Sequence, residues 1–197
     1  MLKGDSMDKF IDKQFISRKK LYSIGLTPYK INKLVAKGKL KIINRNYFEN
    51  PDYDEETNEF NVVSVYAPKG VVCLTSAAIY HGLSSSRPIR IDVALPRDTR
   101  IPKSSQWPEI KYYLFTDDRY TIGIDTVLDD NNHFKIYDKE KTVCDMLFYR
   151  NKLGFDSAIE VLKNYIYRND RDINKLVEYA EKLHCAKLLR EYLEIMI

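Results

Sequence analysis

Apolar residues recur along this 197-residue chain with two periods, helical at both ends and strand-like between. Residues 7–24 read as helical, with Phe10, Ile11, Phe15, Leu21 and Ile24 as the apolar positions. Ser17 is placed to cap a second short helix over 18–24, which Gly25 ends. Thr27-Pro28 supplies an N-cap followed by proline at the first helical position, and Gly38 a C-cap, so a helix over 28–37 is bracketed at both ends. Its Ile31, Leu34 and Val35 form one stripe to bury. Strand character over 39–43, turn chemistry at Asn44-Arg45-Asn46 and extended Tyr47-Phe48 then predict a β-hairpin.

The acidic, turn-rich residues 51–61 read as a connector, with 60–66 as a strand or the start of a helix. Beyond it, 70–74 is short and apolar, and Thr75 is placed to cap a helix over 76–81 that stops at Gly82. Strand candidates follow at 89–95, 110–115, 120–127 and 133–137. The rest is helical: 139–152 capped by Asp138, 157–167 capped by Asp156, then 173–183 and 186–195. Tyr165, Tyr167, Tyr179 and Tyr192 fall in this block and are expected to pack between helices. The pattern predicts an α+β chain: a winged helix-turn-helix over residues 1–50, a connector over 51–66, and a mixed α/β domain over 67–197 with a helical C-terminal part.

Composition agrees with a folded chain, since 44% of residues are apolar and 12% aromatic. The net charge of +4 is modest, but its distribution is not. Residues 1–50 hold twelve basic and four acidic groups, a balance of +8. Residues 51–197 hold 20 basic and 24 acidic groups, a balance of −4. A basic head on a mildly acidic body points to a nucleic-acid-binding module joined to a domain with another task. Cys73, Cys144 and Cys185 are odd in number and widely spaced, which supports neither a disulfide framework nor a zinc knuckle. With no apolar run near the ~20 residues of a membrane helix and no signal-peptide core, a cytoplasmic location is expected.

The candidate DNA-reading face follows from the bracketed helix. Lys30, Lys33 and Lys37 follow its exposed side, Lys19 and Lys20 lie on the helix before it, and Arg45 sits at the hairpin tip with Asn46. Lysines supply phosphate contacts, while Thr27, Tyr29, Asn32 and Lys33 are the candidates for base edges. The plainer reading is a solvated lysine-rich helix. A candidate second basic surface comprises Arg87, Arg90, Arg97, Arg100 and Lys103. His81, His133 and His184 lack metal-ligand spacing, and no phosphate-loop or nucleophile-elbow motif is present. Asp92 with Glu109 and Lys111 has the D…E-x-K order of some metal nucleases, a short match that arises often by chance. Lys141 and Asp145, at i and i+4, read as a local ion pair worth a few tenths of a kcal/mol.

Three segments carry a family resemblance: ISRKKLYSIGLTPYKINKLVAKGKLKIINRNYF, VVCLTSAAIYHGLS followed by RIDVALP, and KIYDKEKTVCDMLFYRNKLGFDSAIEVLKNYI. Together they resemble the AbiEi antitoxins of bacterial abortive-infection, type IV toxin–antitoxin systems. The resemblance implies a winged-helix head that binds inverted repeats in its own promoter and represses transcription. It also implies a C-terminal domain that counteracts a nucleotidyltransferase-like toxin without a stable complex, in the service of phage defence. No enzymatic activity and no cofactor are expected. The hairpin turn departs from the family's frequent R-G-x-Y: here it is Arg45-Asn46-Tyr47, and because Asn tolerates positive φ better than most non-glycine residues, the turn is expected to survive. The alternatives are a non-catalytic winged-helix regulator with a ligand-sensing or dimerising body, and a nuclease built on Asp92, Glu109 and Lys111.

Overall fold

A computed structural model describes residues 13–53, 58–86, 89–102, 108–129 and 132–196. Phe10, Ile11, Arg87 and Lys103 therefore lie outside the described residues. The first unit runs β1 (Phe15–Ser17), α1 (Arg18–Ser23), α2 (Pro28–Ala36), β2 (Lys41–Ile42) and β3 (Tyr47–Glu49). Phe15 thus belongs to a strand and not to the helix predicted over 7–24. The three strands form an antiparallel sheet in the order β1-β3-β2, in which Phe48 lies opposite both Ile16 and Ile42. Pairing with β3 decides the conformation there, because Ile16 buries its side chain between two half-buried neighbours.

The caps act where the sequence puts them. The Ser17 hydroxyl accepts the Lys20 N–H at 3.1 Å and Thr27 Oγ1 accepts the Lys30 N–H at 3.4 Å. Gly25, at φ +85°, turns the chain between the helices. Ile16, Leu21, Ile31, Leu34, Leu40 and Phe48 close this unit into its own small core.

The second unit begins earlier than residue 67. α3 (Asn61–Tyr66) buries Val62, Val63 and Val65, so the last six residues of the expected connector form a helix that packs into the core. Next come β4 (Val71–Val72), α4 (Leu74–Tyr80), β5 (Arg90–Pro96), β6 (Glu109–Phe115), α5 (Asp117–Thr121), β7 (Ile124–Asp129) and β8 (Asn132–Tyr137). The strand expected over 120–127 is divided: Asp117 and Asp118 favour a helical first turn, and Gly123 at φ +72° redirects the chain into β7. α4 starts at Leu74 with Cys73 at its N-cap, in place of the Thr75 cap, and the Ser76 hydroxyl accepts the Asp92 N–H of β5 at 2.9 Å.

The sheet order is β6-β5-β4-β8-β7, with β5 parallel to β6, β4 parallel to β8, and the other pairs antiparallel. α6 (Lys139–Phe148), α7 (Arg150–Leu153), α8 (Phe155–Ile166), α9 (Ile173–Lys182) and α10 (Ala186–Met196) follow. The helix expected over 139–152 breaks at Tyr149. Gly154, at φ +106°, precedes α8, which leaves Asp156 in the first turn and not at the cap.

One sheet face, through Val71, Ala94 and Tyr137, packs on α4 and the C-terminal helices. The other, through Val72, Val93 and Ile136, packs on α3. Central β5 is accordingly buried on both faces. Tyr165 is buried as expected, whereas Tyr167 is 72% exposed beyond the end of α8. Among the described residues no helix is long and apolar enough to cross a membrane.

Candidate functional site

On α2 the buried Ile31 and Leu34 fix which side faces inward. Thr27, Tyr29, Lys30, Asn32, Lys33 and Lys37 are all exposed, and Tyr29 projects with 76% of its surface accessible. Lys33 and Tyr29 lie two positions to either side of Ile31, which on a helix of 3.6 residues per turn turns them almost opposite the buried stripe. Lys19 and Lys20 are exposed on α1, and Arg45 and Asn46 are exposed in the turn between β2 and β3.

That turn is built without a positive φ: among the described residues only Leu74 and His184 show one outside glycine. Asn44 holds it instead. Its Oδ1 accepts the N–H groups of Asn46 at 2.9 Å and Tyr47 at 3.0 Å, and its Nδ2 donates to the Val65 carbonyl at 3.0 Å. Arg18 braces the turn from the other side, donating from Nε to the Arg45 carbonyl at 2.9 Å while its guanidinium lies over Phe48. The side chain of Arg45 is left to solvent.

Counterions are distributed unevenly over this unit. Lys39 pairs with Asp52 at 2.6 Å and Lys41 with Glu49 at 3.3 Å. Lys19, Lys20, Lys30, Lys33, Lys37 and Arg45 form no ion pair among the described residues. Among the described residues, Lys30, Lys33 and Lys37 thus leave the exposed side of α2 without counterions. Such a surface attracts polyanions at a distance of about a Debye length.

The second basic surface is less coherent. Arg90 starts β5 and Arg97 and Arg100 follow its end, so the strand holds them about 20 Å apart. Asp92, Glu109 and Lys111 do share a sheet face, with Arg90 opposite Glu109 and Asp92 opposite Lys111 in the parallel register. Yet Asp92 is only 3% exposed, and burial raises its pKa, an effect the Arg90 guanidinium 3.8 Å away opposes. Lys111 lies over the Tyr113 ring and Glu109 is exposed. No group of three His, Cys, Asp or Glu residues able to hold a metal occurs among the described residues. His81 ends α4, with Nε2 2.7 Å from the Tyr137 carbonyl, and burial lowers its pKa. All three cysteines are free and buried.

Lys141 and Asp145 are not the surface pair their spacing suggests. Both are fully buried, because α6 is buried along nearly its whole length between the sheet and the other helices. The Lys141 ammonium contacts Asp145 Oδ2 and lies 4.2 Å from the centre of the Tyr137 ring. Arg119 of α5 supplies the third member: Nη1 reaches Asp145 Oδ1 at 2.5 Å, Nη2 donates to the Leu183 carbonyl at 2.8 Å, and Phe148 stacks 3.8 Å away. Burial pulls the Lys141 ammonium below its ordinary pKa and Asp145 opposes the shift. Arg119 lies 26 residues from its partner with no local pattern linking the two, so the sequence carried no signal for it. The cluster ties α5, α6 and the end of α9 together.

Comparison with known proteins returned no matching family model and no matching curated protein.

Proposed function

We propose that this chain is an antitoxin and transcriptional autorepressor of the AbiEi type, acting in the cytoplasm. In this reading residues 1–50 form a winged helix-turn-helix. α2 enters the major groove of inverted-repeat promoter DNA and the Asn44–Asn46 turn serves as the wing. The domain that follows counteracts a nucleotidyltransferase-like toxin without stable association.

The observation that supports the DNA reading is the run of Lys30, Lys33 and Lys37 on the exposed side of α2, with no ion pair among the described residues, while Lys39 and Lys41 nearby are neutralised. Tyr29, Asn32 and Thr27 stand on the same helix as candidates for base contact, and the brace on the turn presents Arg45 at a fixed place. The antitoxin reading adds the three resembling segments. A nuclease is disfavoured by the burial of Asp92, which would have to surrender its place in the core to bind a metal and substrate.

Promoter binding measured across salt concentrations tests the head. Replacing Lys30 and Lys33 together with Ala removes up to two phosphate contacts, so the slope of log K against log salt should flatten by up to about 1.8. Unchanged affinity and slope would remove the assignment. The same full-length variant, produced in trans with the toxin encoded beside it, should still protect cells. Protection lost together with DNA binding would reduce the function to transcriptional control.

A further inference from the structure

β1 is the terminal strand of its sheet and pairs with β3 alone. Its register is bracketed by the Arg18 N–H donating to the Asn46 carbonyl at 2.7 Å and the Asn50 N–H donating to the Gln14 carbonyl at 2.8 Å. Alternate residues of an antiparallel strand bond to the same neighbour, so residues 14, 16 and 18 turn their peptide groups toward β3. Phe15 and Ser17 turn theirs away. The Ser17 carbonyl, at an N-cap, serves the first turn of α1, which leaves the N–H and C=O of Phe15 and the N–H of Ser17 on an outer edge that no strand covers among the described residues.

The second unit has an open edge of its own. β4 spans only Val71–Val72 and meets β8 at the single pair Val72–Ile136. The Cys73 N–H donates to the Asp92 carbonyl of β5 at 3.0 Å, so Val72, one residue earlier, directs its peptide groups to β8, onto residues 135 and 137. By the same alternation His133 presents its N–H and C=O on the β4 side, before β4 begins. Both open edges line one cavity of about 460 Å³, whose walls include Phe15 and Ser17 from the first unit and His133 and Lys135 from the second. None of the four is sealed in the core: His133 is exposed and the others are half-buried. With a rise of about 3.3 Å, a strand spacing of about 4.8 Å and a layer spacing of about 10 Å, a strand residue takes up roughly 160 Å³, so the space suits about three residues of extended chain. Charge selects among such chains. Lys13, Lys20 and Lys135 line the cavity and no acidic side chain does, and Lys20 and Lys135 have no carboxylate partner among the described residues.

We propose that this cleft docks an extended, acidic segment of a partner polypeptide, which adds to the outer edge of β1 as a fourth strand of the small sheet. Main-chain hydrogen bonds to Phe15 and Ser17 hold the segment, and its carboxylates face the lysines of the walls. The site uses the outer edge of β1 and Lys135, which the DNA reading does not involve, so it stands or falls apart from that reading.

Selection of random dodecapeptides displayed on phage against the full-length protein, followed by fluorescence-anisotropy titration of the best synthetic peptide, tests it. The selected peptides should share acidic residues, and the best should bind saturably with one site per chain. Methylating alternate backbone nitrogens of that peptide, in two complementary sets, should weaken binding tenfold or more for at least one set. Phe15→Ala and Phe15→Pro both remove the side chain, but only proline removes the outward N–H, and residue 15 donates nothing to β3 that proline would break. Phe15→Pro should therefore bind the peptide about tenfold more weakly than Phe15→Ala while the far-ultraviolet circular dichroism of the two agrees. Lys135→Glu, at a half-buried strand position, should weaken binding to a similar degree. The proposal is overturned if no peptide binds saturably up to millimolar concentration, if neither methylated set weakens binding, if the two Phe15 variants bind alike, or if affinity is indifferent to Lys135→Glu. Selected peptides that match this chain's own sequence would assign the edge to a second copy and overturn it as well.

Discussion

Replacing Asp145 by Asn removes the only anion from a buried cluster that contains two cations. As built, Arg119, Lys141 and Asp145 sum to one positive charge, with the carboxylate engaged by a different cation on each oxygen. The neutral amide would leave Arg119 and Lys141 as buried like charges, and breaking a buried pair by removing one partner costs about 3–5 kcal/mol. In a chain of this size each kcal/mol moves the melting temperature by about 2–4 °C, so a fall of about 6–20 °C is expected. Lys141→Met makes the opposite change. It leaves Arg119 and Asp145 as a neutral pair, retains the Leu183 contact, and replaces a buried ammonium with an apolar side chain of similar length, at a cost of no more than about 1–2 kcal/mol. Added to Asp145→Asn, Lys141→Met should therefore recover about 1–3 kcal/mol of what that change loses. Urea unfolding of the wild type, both single variants and the double variant, followed by circular dichroism, measures all three. The electrostatic account fails if Asp145→Asn costs less than about 1 kcal/mol, or if the double variant is less stable than Asp145→Asn alone.

Gly25 and Gly123 make a matched test of space against backbone conformation. Both have positive φ, but a Cβ on Gly25 meets nothing within 4 Å, whereas one on Gly123 would stand 2.8 Å from Lys141 Cβ and 3.0 Å from Asp138 Oδ2. Gly25→Ala should cost about 1 kcal/mol from strain, and Gly123→Ala at least twice that, read as the shift of the urea midpoint; equal costs would refute the steric argument. His81 gives a pH dependence. Burial lowers its pKa from 6.5, more than the Tyr137 carbonyl raises it, so below that pH the unfolded chain binds the proton more readily. Its contribution is complete above pH 6.5 and is lost as pH falls through the lower folded value. His81→Gln should flatten the decline in melting temperature between neutral pH and about pH 5, and an unchanged slope would exclude His81 as its source.

Where local chemistry fixes the backbone, the sequence was legible. Ser17 and Thr27-Pro28 start their helices at the expected residues, Gly25 and Gly38 end them, and Asp138 caps α6. Each device acts through a hydrogen bond or dihedral within four residues, so no distant partner is needed to find it. The stripe of Ile31 and Leu34 followed in the same way, and with it the exposure of Lys30, Lys33 and Lys37.

Tertiary structure decided what depends on partners far apart in the chain. Phe15 is extended because β3, over thirty residues later, offers a pairing edge. The order β6-β5-β4-β8-β7 sets Val72 of β4 beside Ile136 of β8, a pairing no local signal encodes. Lys141 and Asp145 show the limit most directly. An i, i+4 pair has the same sequence on a wet helix as on a dry one, and only the packing of sheet and helices around α6, with Arg119 arriving from α5, converts a weak surface contact into a buried cluster. Short-range geometry is written in consecutive residues, whereas burial and long-range charge balance are properties of the assembled core.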